Sequence, residues 1–154
     1  MIEIRRAAAD DIPGLVASST GLFAEDAGTR DDTMNIRWPA EFGAAAYTST
    51  LADPDRAVFV ADADGSVAGH LTAYVTEASD IRPVRMATLM SMYVFPEHRS
   101  SGVGGRLVDA FKEWAASHGA QRLTVTAYAA NADAIRFYQR NGFAPKSLEL
   151  EMKI

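Results

Sequence analysis

One stretch of the chain, residues 89–107, constrains the fold more than any other. Apolar and aromatic residues predict a buried strand over Met86 to Val94, and Pro96 ends it because proline has no amide proton for a neighbouring strand. Three glycines and two serines follow, and from Gly104 or Gly105 onward the apolar spacing is helical. The stretch therefore predicts a strand, a glycine-rich turn and the start of a helix.

The predicted turn has the properties of an anion site. Glycine allows positive φ and a close approach of a ligand. The first amides of a helix have no partner inside the helix and carry partial positive charge, so phosphate groups bind there. Arg99 and Arg106 add positive charge on either side. We expect the following residues to bind a phosphate group: Arg99, Ser100, Ser101, Gly102, Val103, Gly104 and Gly105.

Two common phosphate motifs do not fit this turn. A P-loop requires a Gly-Lys-Ser/Thr ending that is absent, and a dinucleotide fingerprint requires glycine where Leu107 stands. The remaining pattern, Arg-x-x-Gly-x-Gly after a strand, resembles the acetyl-CoA signature of the GNAT family of N-acetyltransferases. In that family the pyrophosphate of coenzyme A lies on these backbone amides. The alternative is an ordinary strand-to-helix loop with a glycine cap.

A second motif, in residues 128–143, is similar to the family's Asn-x-x-Ala and Phe-Tyr-x-x-x-Gly-Phe run. Asn131 and Tyr138 are seven residues apart, which places them on nearly the same face of a helix. The resemblance implies that Asn131 helps to hold the cofactor and that Tyr138 donates a proton to the departing thiolate. The alternatives are a helix cap for Asn131 and packing beside Phe137 for Tyr138.

The resemblance also implies a role for the strand before the turn. In the family this strand bulges and splays away from the next one. Its amides near Met92, Tyr93 and Val94 then bind the pantetheine arm and polarise the thioester carbonyl. We therefore expect these three residues to take part in cofactor binding.

The order of predicted elements, β-α-α-β-β-β-α-β-α-β, extends the resemblance to nearly the whole chain. It includes a hairpin at Asp64–Gly65, a βαβ crossover and a closing strand over Leu148 to Ile154, while the polar residues 24–33 are predicted to form a mobile loop. The resemblance implies one domain over residues 1–154 with a mixed α/β, GNAT-like fold. Its mostly antiparallel sheet would have six or seven strands, about four flanking helices and a V-shaped splay between the fourth and fifth strands.

Composition excludes several classes of function. The net charge of −5 argues against a nucleic-acid partner, and the absence of cysteine excludes disulfides, thiolate zinc sites and a cysteine acyl-enzyme. No two of the three histidines have ligand spacing, so we expect no metal. No apolar run approaches 18 residues and the N-terminus lacks the layout of a signal peptide, so we expect a cytoplasmic protein without a membrane partner.

The residue that deprotonates an acceptor amine is not evident. Holding an alkylamine neutral at pH 7 costs roughly 4 kcal/mol. Many family members use a glutamate on the fourth strand, but residues 86–95 contain no Asp or Glu. A chain of water molecules or an acceptor of low pKa would remove the need for such a base. The carboxylates within reach in the sequence are Glu25, Asp26, Glu77, Asp80 and Glu97.

These features predict an acetyl-CoA-dependent N-acetyltransferase that moves an acetyl group directly to a primary amine of a small molecule or peptide. The alternative is a non-catalytic or regulatory acyl-CoA-binding module with the same fold, for which the missing strand carboxylate is the support. The acidic residues between Glu25 and Asp32, with Glu41, favour a cationic acceptor. The length of the acyl group stays open, as does the choice between a monomer and the homodimer common in the family.

Overall fold

A computed structural model describes all 154 residues. It contains one sheet whose strands lie side by side in chain order. The first four strands pair with one another in antiparallel fashion, and the fifth pairs in parallel with the fourth. The predicted mixed and mostly antiparallel sheet is therefore confirmed. The strands are β1 (Ile2–Arg6), β2 (Arg56–Ala63), β3 (Ser66–Thr76), β4 (Met86–Val94) and β5 (Arg122–Val125).

The α-helices lie between β1 and β2, between β4 and β5, and after β5. They are α1 (Ile12–Leu22), α2 (Gly28–Arg30), α3 (Ala44–Ala52), α4 (Val103–Ser117) and α5 (Ala132–Arg140), and α1 joins α2 through a π-helical turn over Phe23–Ala27. No helix combines the length and the apolar character that crossing a membrane requires.

The polar stretch predicted as a loop is helical as far as Arg30. The Arg30 guanidinium donates to Asp26 at 2.9 Å, and the Thr29 hydroxyl donates to the Glu25 carbonyl at 2.9 Å. Side-chain bonds one turn apart stabilise a helix without producing an apolar period, which is why the pattern of apolar residues missed this one.

Both faces of the sheet are covered, as the alternation along β2 demonstrates. Ala57, Phe59 and Ala61 belong to a core cluster with the apolar side of α4, including Phe111. Val58 and Val60 point the other way and pack with Leu15 of α1 and Tyr47 of α3. A strand buried on both faces reads as a continuous apolar run, which is what this part of the sequence contains.

The strands β4 and β5 pair only at their beginnings, from Met86 opposite Arg122 to Leu89 opposite Val125. Beyond Leu89 the two strands have no ladder between them, so the predicted splay is confirmed. The ladder between β3 and β4 also shifts register at Met90, which is the extra residue of a β-bulge.

The predicted closing strand over Leu148 to Ile154 is wrong, and the sheet has five strands rather than six or seven. Residues 144–154, which we call the C-terminal arm, are exposed and form no hydrogen bond with any other residue. An alternating sequence defines an apolar face, but a strand forms only where another backbone edge pairs with it. The second edge of β5 is unpaired, and the arm does not reach it.

Candidate active site

The turn between β4 and α4 leaves six consecutive amides, those of Ser100 to Gly105, without a hydrogen-bond acceptor. Positive φ angles of +64° at Ser100 and +83° at Gly102 turn the chain. Helix α4 begins at Val103, one or two residues before the predicted start at Gly104 or Gly105. Successive free amides at a helix N-terminus form an anion-binding concavity, so the turn has the geometry expected of a phosphate site.

The turn is joined to the second motif through Gly104. A Cβ atom at Gly104 would lie 3.2 Å from the ring of Phe137, so only glycine lets α4 approach α5 this closely without a shift of that ring. The neighbouring Tyr138 packs edge-on against Phe137, with ring centroids 5.3 Å apart. The two motifs, which are separate in the sequence, therefore meet in the fold.

Arg99 lies against the end of β4. Its Nε donates to the Val94 carbonyl at 2.7 Å, and its Nη2 donates to Oε2 of Glu25 at 2.8 Å. The guanidinium carbon is 5.1 Å from the centre of the Tyr93 ring. The hydrogen bond from Arg99 holds the pKa of Glu25 below its usual value, so Glu25 is a poor base.

Asn131 caps α5 and also contacts the first helical segment. Its Oδ1 accepts a hydrogen bond from the Ala134 amide at 3.1 Å, and its Nδ2 donates to Oδ1 of Asp26 at 3.2 Å. The helix-cap role considered from the sequence is thus present in the structure. The contact with Asp26 joins α5 to the π-helical turn that follows α1.

Tyr138 lies between the rings of Phe137 and Phe143, with centroid distances of 5.3 Å and 5.8 Å. Its hydroxyl forms no hydrogen bond with the protein, although the ring is largely enclosed. Burial, with the negative charge of Asp26 nearby, raises the pKa of Tyr138 to about 12. The hydroxyl therefore keeps its proton at neutral pH, and no protein acceptor is bonded to it.

A cavity of about 2040 Å³ opens beside the splay. Tyr138 lines it, together with Asp26 and Asp31 and the stacked rings of Phe23 and Trp38, whose centroids are 5.8 Å apart. Of the predicted site residues, Tyr138 alone lines this cavity. The others lie outside its wall: Met92, Tyr93, Val94, Arg99 to Gly105, and Asn131.

A buried polar cluster below the cavity escaped the sequence reasoning. His70 on β3 is fully buried, with Nδ1 2.5 Å from the Ser18 hydroxyl and Nε2 3.2 Å from the Ser91 hydroxyl. Ser91 Oγ is 2.6 Å from Thr72 Oγ1, and both of these residues line the cavity. Burial lowers the pKa of His70 to about 4, so the ring is neutral at pH 7.

Among the candidate carboxylates for a general base, Asp26 is the one at the cavity wall. It accepts hydrogen bonds from Arg30 at 2.9 Å and from Asn131 at 3.2 Å. Glu77 pairs with Arg85, and the remaining two carboxylates of the prediction, Asp80 and Glu97, are exposed residues outside the cavity.

Comparison with known proteins shows which family this chain belongs to. The model of the acetyltransferase (GNAT) family matches residues 27–143. The uncharacterized N-acetyltransferase YhfO of Bacillus subtilis is 31% identical over 102 residues, which cover 66% of this chain and 68% of that protein. A mutant of the BH1408 protein from Bacillus halodurans superposes with a TM-score of 0.90 at 15% identity and 99% coverage of both chains.

A further solved structure, the aminoglycoside N-acetyltransferase AAC(6')-Iy in complex with CoA, superposes with a TM-score of 0.77 at 18% identity. That alignment covers 99% of this chain and 98% of the other. At such identities the solved structures show a shared fold. The family match itself covers most of the chain, so this protein belongs to the acetyltransferase (GNAT) family. It is an acyltransferase, and the family predicted from its two motifs is confirmed.

Proposed function

We propose that this protein is an acetyl-CoA-dependent N-acetyltransferase that acetylates a primary amine of a small cationic molecule by direct transfer. The observation that carries the proposal is the run of six unpartnered amides from Ser100 to Gly105. These amides would bind the pyrophosphate of coenzyme A, and a solved structure of the same fold contains CoA. Asn131 would help to fix the cofactor beside them.

The thioester end of the cofactor would lie along the free edge of β4. Beyond Leu89 this edge has no strand partner, so its main-chain groups near Met92, Tyr93 and Val94 are available to the pantetheine arm and the thioester carbonyl. The bulge at Met90 marks the place where the edge becomes free.

Tyr138 would act as the general acid. As the acceptor nitrogen bonds to the carbonyl carbon and the carbon–sulfur bond breaks, the Tyr138 hydroxyl gives its proton to the departing sulfur. The proton that the acceptor nitrogen releases then restores the phenol, so the charges and protons balance. General acid assistance of this kind contributes about 10²–10⁴-fold to a rate.

The acceptor would bind in the cavity between the first helices and α5. The carboxylates of Asp26 and Asp31 and the stacked rings of Phe23 and Trp38 line that cavity, and both kinds of group attract an alkylammonium ion. The fold shared with an aminoglycoside N-acetyltransferase is in keeping with a small-molecule amine acceptor.

Calorimetric titration of coenzyme A into charged glycine variants tests the placement of the cofactor. Gly102→Asp and Gly104→Asp put a negative charge beside the amides, and we expect each to weaken binding at least tenfold. Gly65→Asp is the matched control, because Gly65 has a φ of +96° with no atom near its Cβ, as Gly102 has a φ of +83° and the same open space. Undiminished binding in the first two variants would refute the placement.

A panel of amines with detection of free thiol would identify the acceptor. We expect transfer to small cationic amines and little to neutral or acidic ones. Slow hydrolysis of acetyl-CoA without transfer to any amine would favour the non-catalytic module that the sequence left open, for which the absence of a carboxylate on β4 is the support.

A further inference from the structure

Four polar side chains form a continuous hydrogen-bonded chain that runs from the protein interior to the wall of the large cavity. In order, they are Ser18, His70, Ser91 and Thr72. Ser18 and His70 have no exposed surface, whereas Ser91 and Thr72 line the cavity. The chain therefore connects a buried histidine to two hydroxyl groups that a molecule in the cavity can contact.

The β-bulge at Met90 brings these two hydroxyl groups together. In a regular ladder Thr72 would face Met90, but the extra residue places Ser91 opposite Thr72 instead. His70 is two residues before Thr72 on β3 and therefore projects from the same face of the sheet. The irregular register of the two strands thus builds the cluster.

Ser18 fixes which ring nitrogen of His70 carries the proton. The Ser18 hydroxyl is fully buried, and its one hydrogen-bond partner is His70 Nδ1, 2.5 Å away. Because a buried hydroxyl proton without an acceptor is costly, Ser18 donates to Nδ1. A neutral imidazole has one N–H group, which therefore lies on Nε2 and donates to Ser91 Oγ at 3.2 Å.

This direction of donation leaves one hydroxyl proton free at the cavity. Ser91 Oγ and Thr72 Oγ1 are 2.6 Å apart and share one hydrogen bond, which uses one of their two protons. The other proton cannot go to His70 Nε2, because that nitrogen is itself a donor, and neither hydroxyl has another acceptor in the protein. With the opposite tautomer, both protons would be used inside the cluster. Whichever hydroxyl holds the free proton, the cluster presents an O–H donor to the cavity.

We propose that this O–H group recognises a neutral oxygen on the acceptor, so that the preferred acceptors are amines that also carry an ether, hydroxyl or carbonyl oxygen. Such an oxygen accepts a hydrogen bond from the cluster, whereas a plain alkyl chain leaves the donor unpaired and is disfavoured. Ser91 and Thr72 contact the acceptor, and His70 is a positioning residue that acts through Ser91. The inference rests on the proposed binding of an acceptor amine in this cavity.

Long-range ¹H–¹⁵N spectra measure the tautomer of His70 directly, because protonated and unprotonated ring nitrogens have well-separated ¹⁵N shifts. At pH 7 we expect a protonated Nε2 and an unprotonated Nδ1. The chain has three histidines, so the double variant His98→Gln, His118→Gln leaves His70 alone and assigns its signals. A proton on Nδ1 would overturn the inference, whether or not the protein transfers acetyl groups.

A series of methoxyalkylamines tests which ligand the cluster recognises. The ether oxygen lies two, three or four carbons from the nitrogen, and each compound is compared with the alkylamine that has a methylene group in place of the oxygen. NMR titration in the presence of coenzyme A gives the dissociation constants without any need for turnover. At one spacing we expect the ether to bind about fivefold more tightly than its partner. Equal binding at every spacing would overturn the inference.

Substitutions at the cavity wall show whether the cluster is responsible for that preference. Ser91→Ala with Thr72→Val removes both hydroxyls, so we expect the ether and the alkylamine to bind alike, whereas either single variant keeps one free hydroxyl proton and part of the preference. Thr50→Val is the matched control, because Thr50 also lines the cavity but its hydroxyl donates to the Ala46 carbonyl at 2.9 Å. A full preference in the double variant would contradict the proposal.

Turnover measurements with the same amines separate this inference from the proposed acetyl transfer. A binding preference for the ether without transfer to any amine would refute the transfer and support the recognition site. Transfer to both amines without a binding preference would support the transfer and overturn the recognition site.

Discussion

The glycine-rich turn contacts Phe137 of α5 and the large cavity is lined by Tyr138 of the same helix, yet the turn and the cavity are built in opposite ways. The turn uses main-chain amides from six consecutive residues, Ser100 to Gly105. The cavity uses side chains that come from distant parts of the chain, among them Asp26 and Thr72. A site made of amides does not titrate and depends little on side-chain identity, whereas a site made of side chains depends on the protonation and packing of each one.

The largest effect should appear at acidic pH, because the side chains below the cavity include a buried histidine, whereas the amides of the turn do not titrate. The pKa of His70 falls from its ordinary value of 6.5 in the unfolded chain to about 4 in the folded protein. Between these two pH values the unfolded chain binds more protons than the folded protein. The part of the free energy of unfolding that depends on His70 is therefore complete above pH 6.5 and is lost as the pH falls towards 4. The His70 contribution to this loss should be about 3 kcal/mol.

Denaturant unfolding from pH 7 to pH 4 measures this effect. We expect His70→Gln to remove that part of the pH dependence, whatever its stability at pH 7, because glutamine does not titrate. His118→Gln, which removes a histidine outside the buried cluster, is the control. Equal slopes in the natural chain and the His70 variant would show that this histidine does not couple folding to pH.

A second difference lies in what each region contributes to turnover. Tyr138→Phe removes the one hydroxyl proposed to protonate the sulfur, so we expect kcat to fall at least tenfold, about 1.4 kcal/mol, with coenzyme A affinity nearly unchanged. Tyr74→Phe on β3 lies outside the cavity and should leave kcat unaltered. Unchanged turnover in the Tyr138 variant would assign that residue to packing beside Phe137.

Removing a charge from the cavity wall should have a smaller effect, limited to binding of the acceptor. Asp26→Asn removes a negative charge but keeps the shape, so we expect KM for a cationic amine to rise about fivefold, less at high salt because the attraction is screened. Asp32→Asn removes an equal charge from an exposed residue outside the cavity and should change KM little. If the two variants behave alike, the cavity does not select its acceptor by charge.

The smallest effect concerns the charge beside the turn. Glu25 neutralises Arg99 in a pair whose side chains are 49% and 38% exposed. Glu25→Gln should therefore strengthen coenzyme A binding only about twofold, since exposed ion pairs contribute little. Glu97→Gln, an exposed carboxylate near the same loop, is the comparison. Weaker binding in the Glu25 variant would mean that the carboxylate positions Arg99 instead of competing with the phosphate.

The same contrast explains what could be predicted from the sequence. The turn at Gly102 and the hairpin at Asp64–Gly65 follow from neighbouring residues, and both were predicted. In the hairpin the φ angles are +53° at Asp64 and +96° at Gly65. His70 was not recognised as part of a cluster, because Ser18 and Ser91 are 52 and 21 residues away and carry no motif. Contacts between elements that are distant in the sequence cannot be predicted from local patterns either.

The helical turn at residues 23–30 and the arm illustrate two other limits. Polar side chains that bond one turn back stabilise a helix that apolar spacing does not reveal, as Arg30 does with Asp26. Alternation in the arm predicted a closing strand, but the neighbour that a strand needs is not encoded in the arm itself. The strand count was therefore wrong although the fold was right.

The unpartnered amides after β4 have one more consequence. Every amino acid except proline supplies the same N–H group, so Ser101 can be exchanged for many other residues without loss of a donor, while a proline at that position would remove one. If the turn binds the cofactor as we propose, most substitutions at Ser101 would leave that contact in place. Substitutions among the side chains of the cavity would then change the choice of acceptor without removing any of these amide donors.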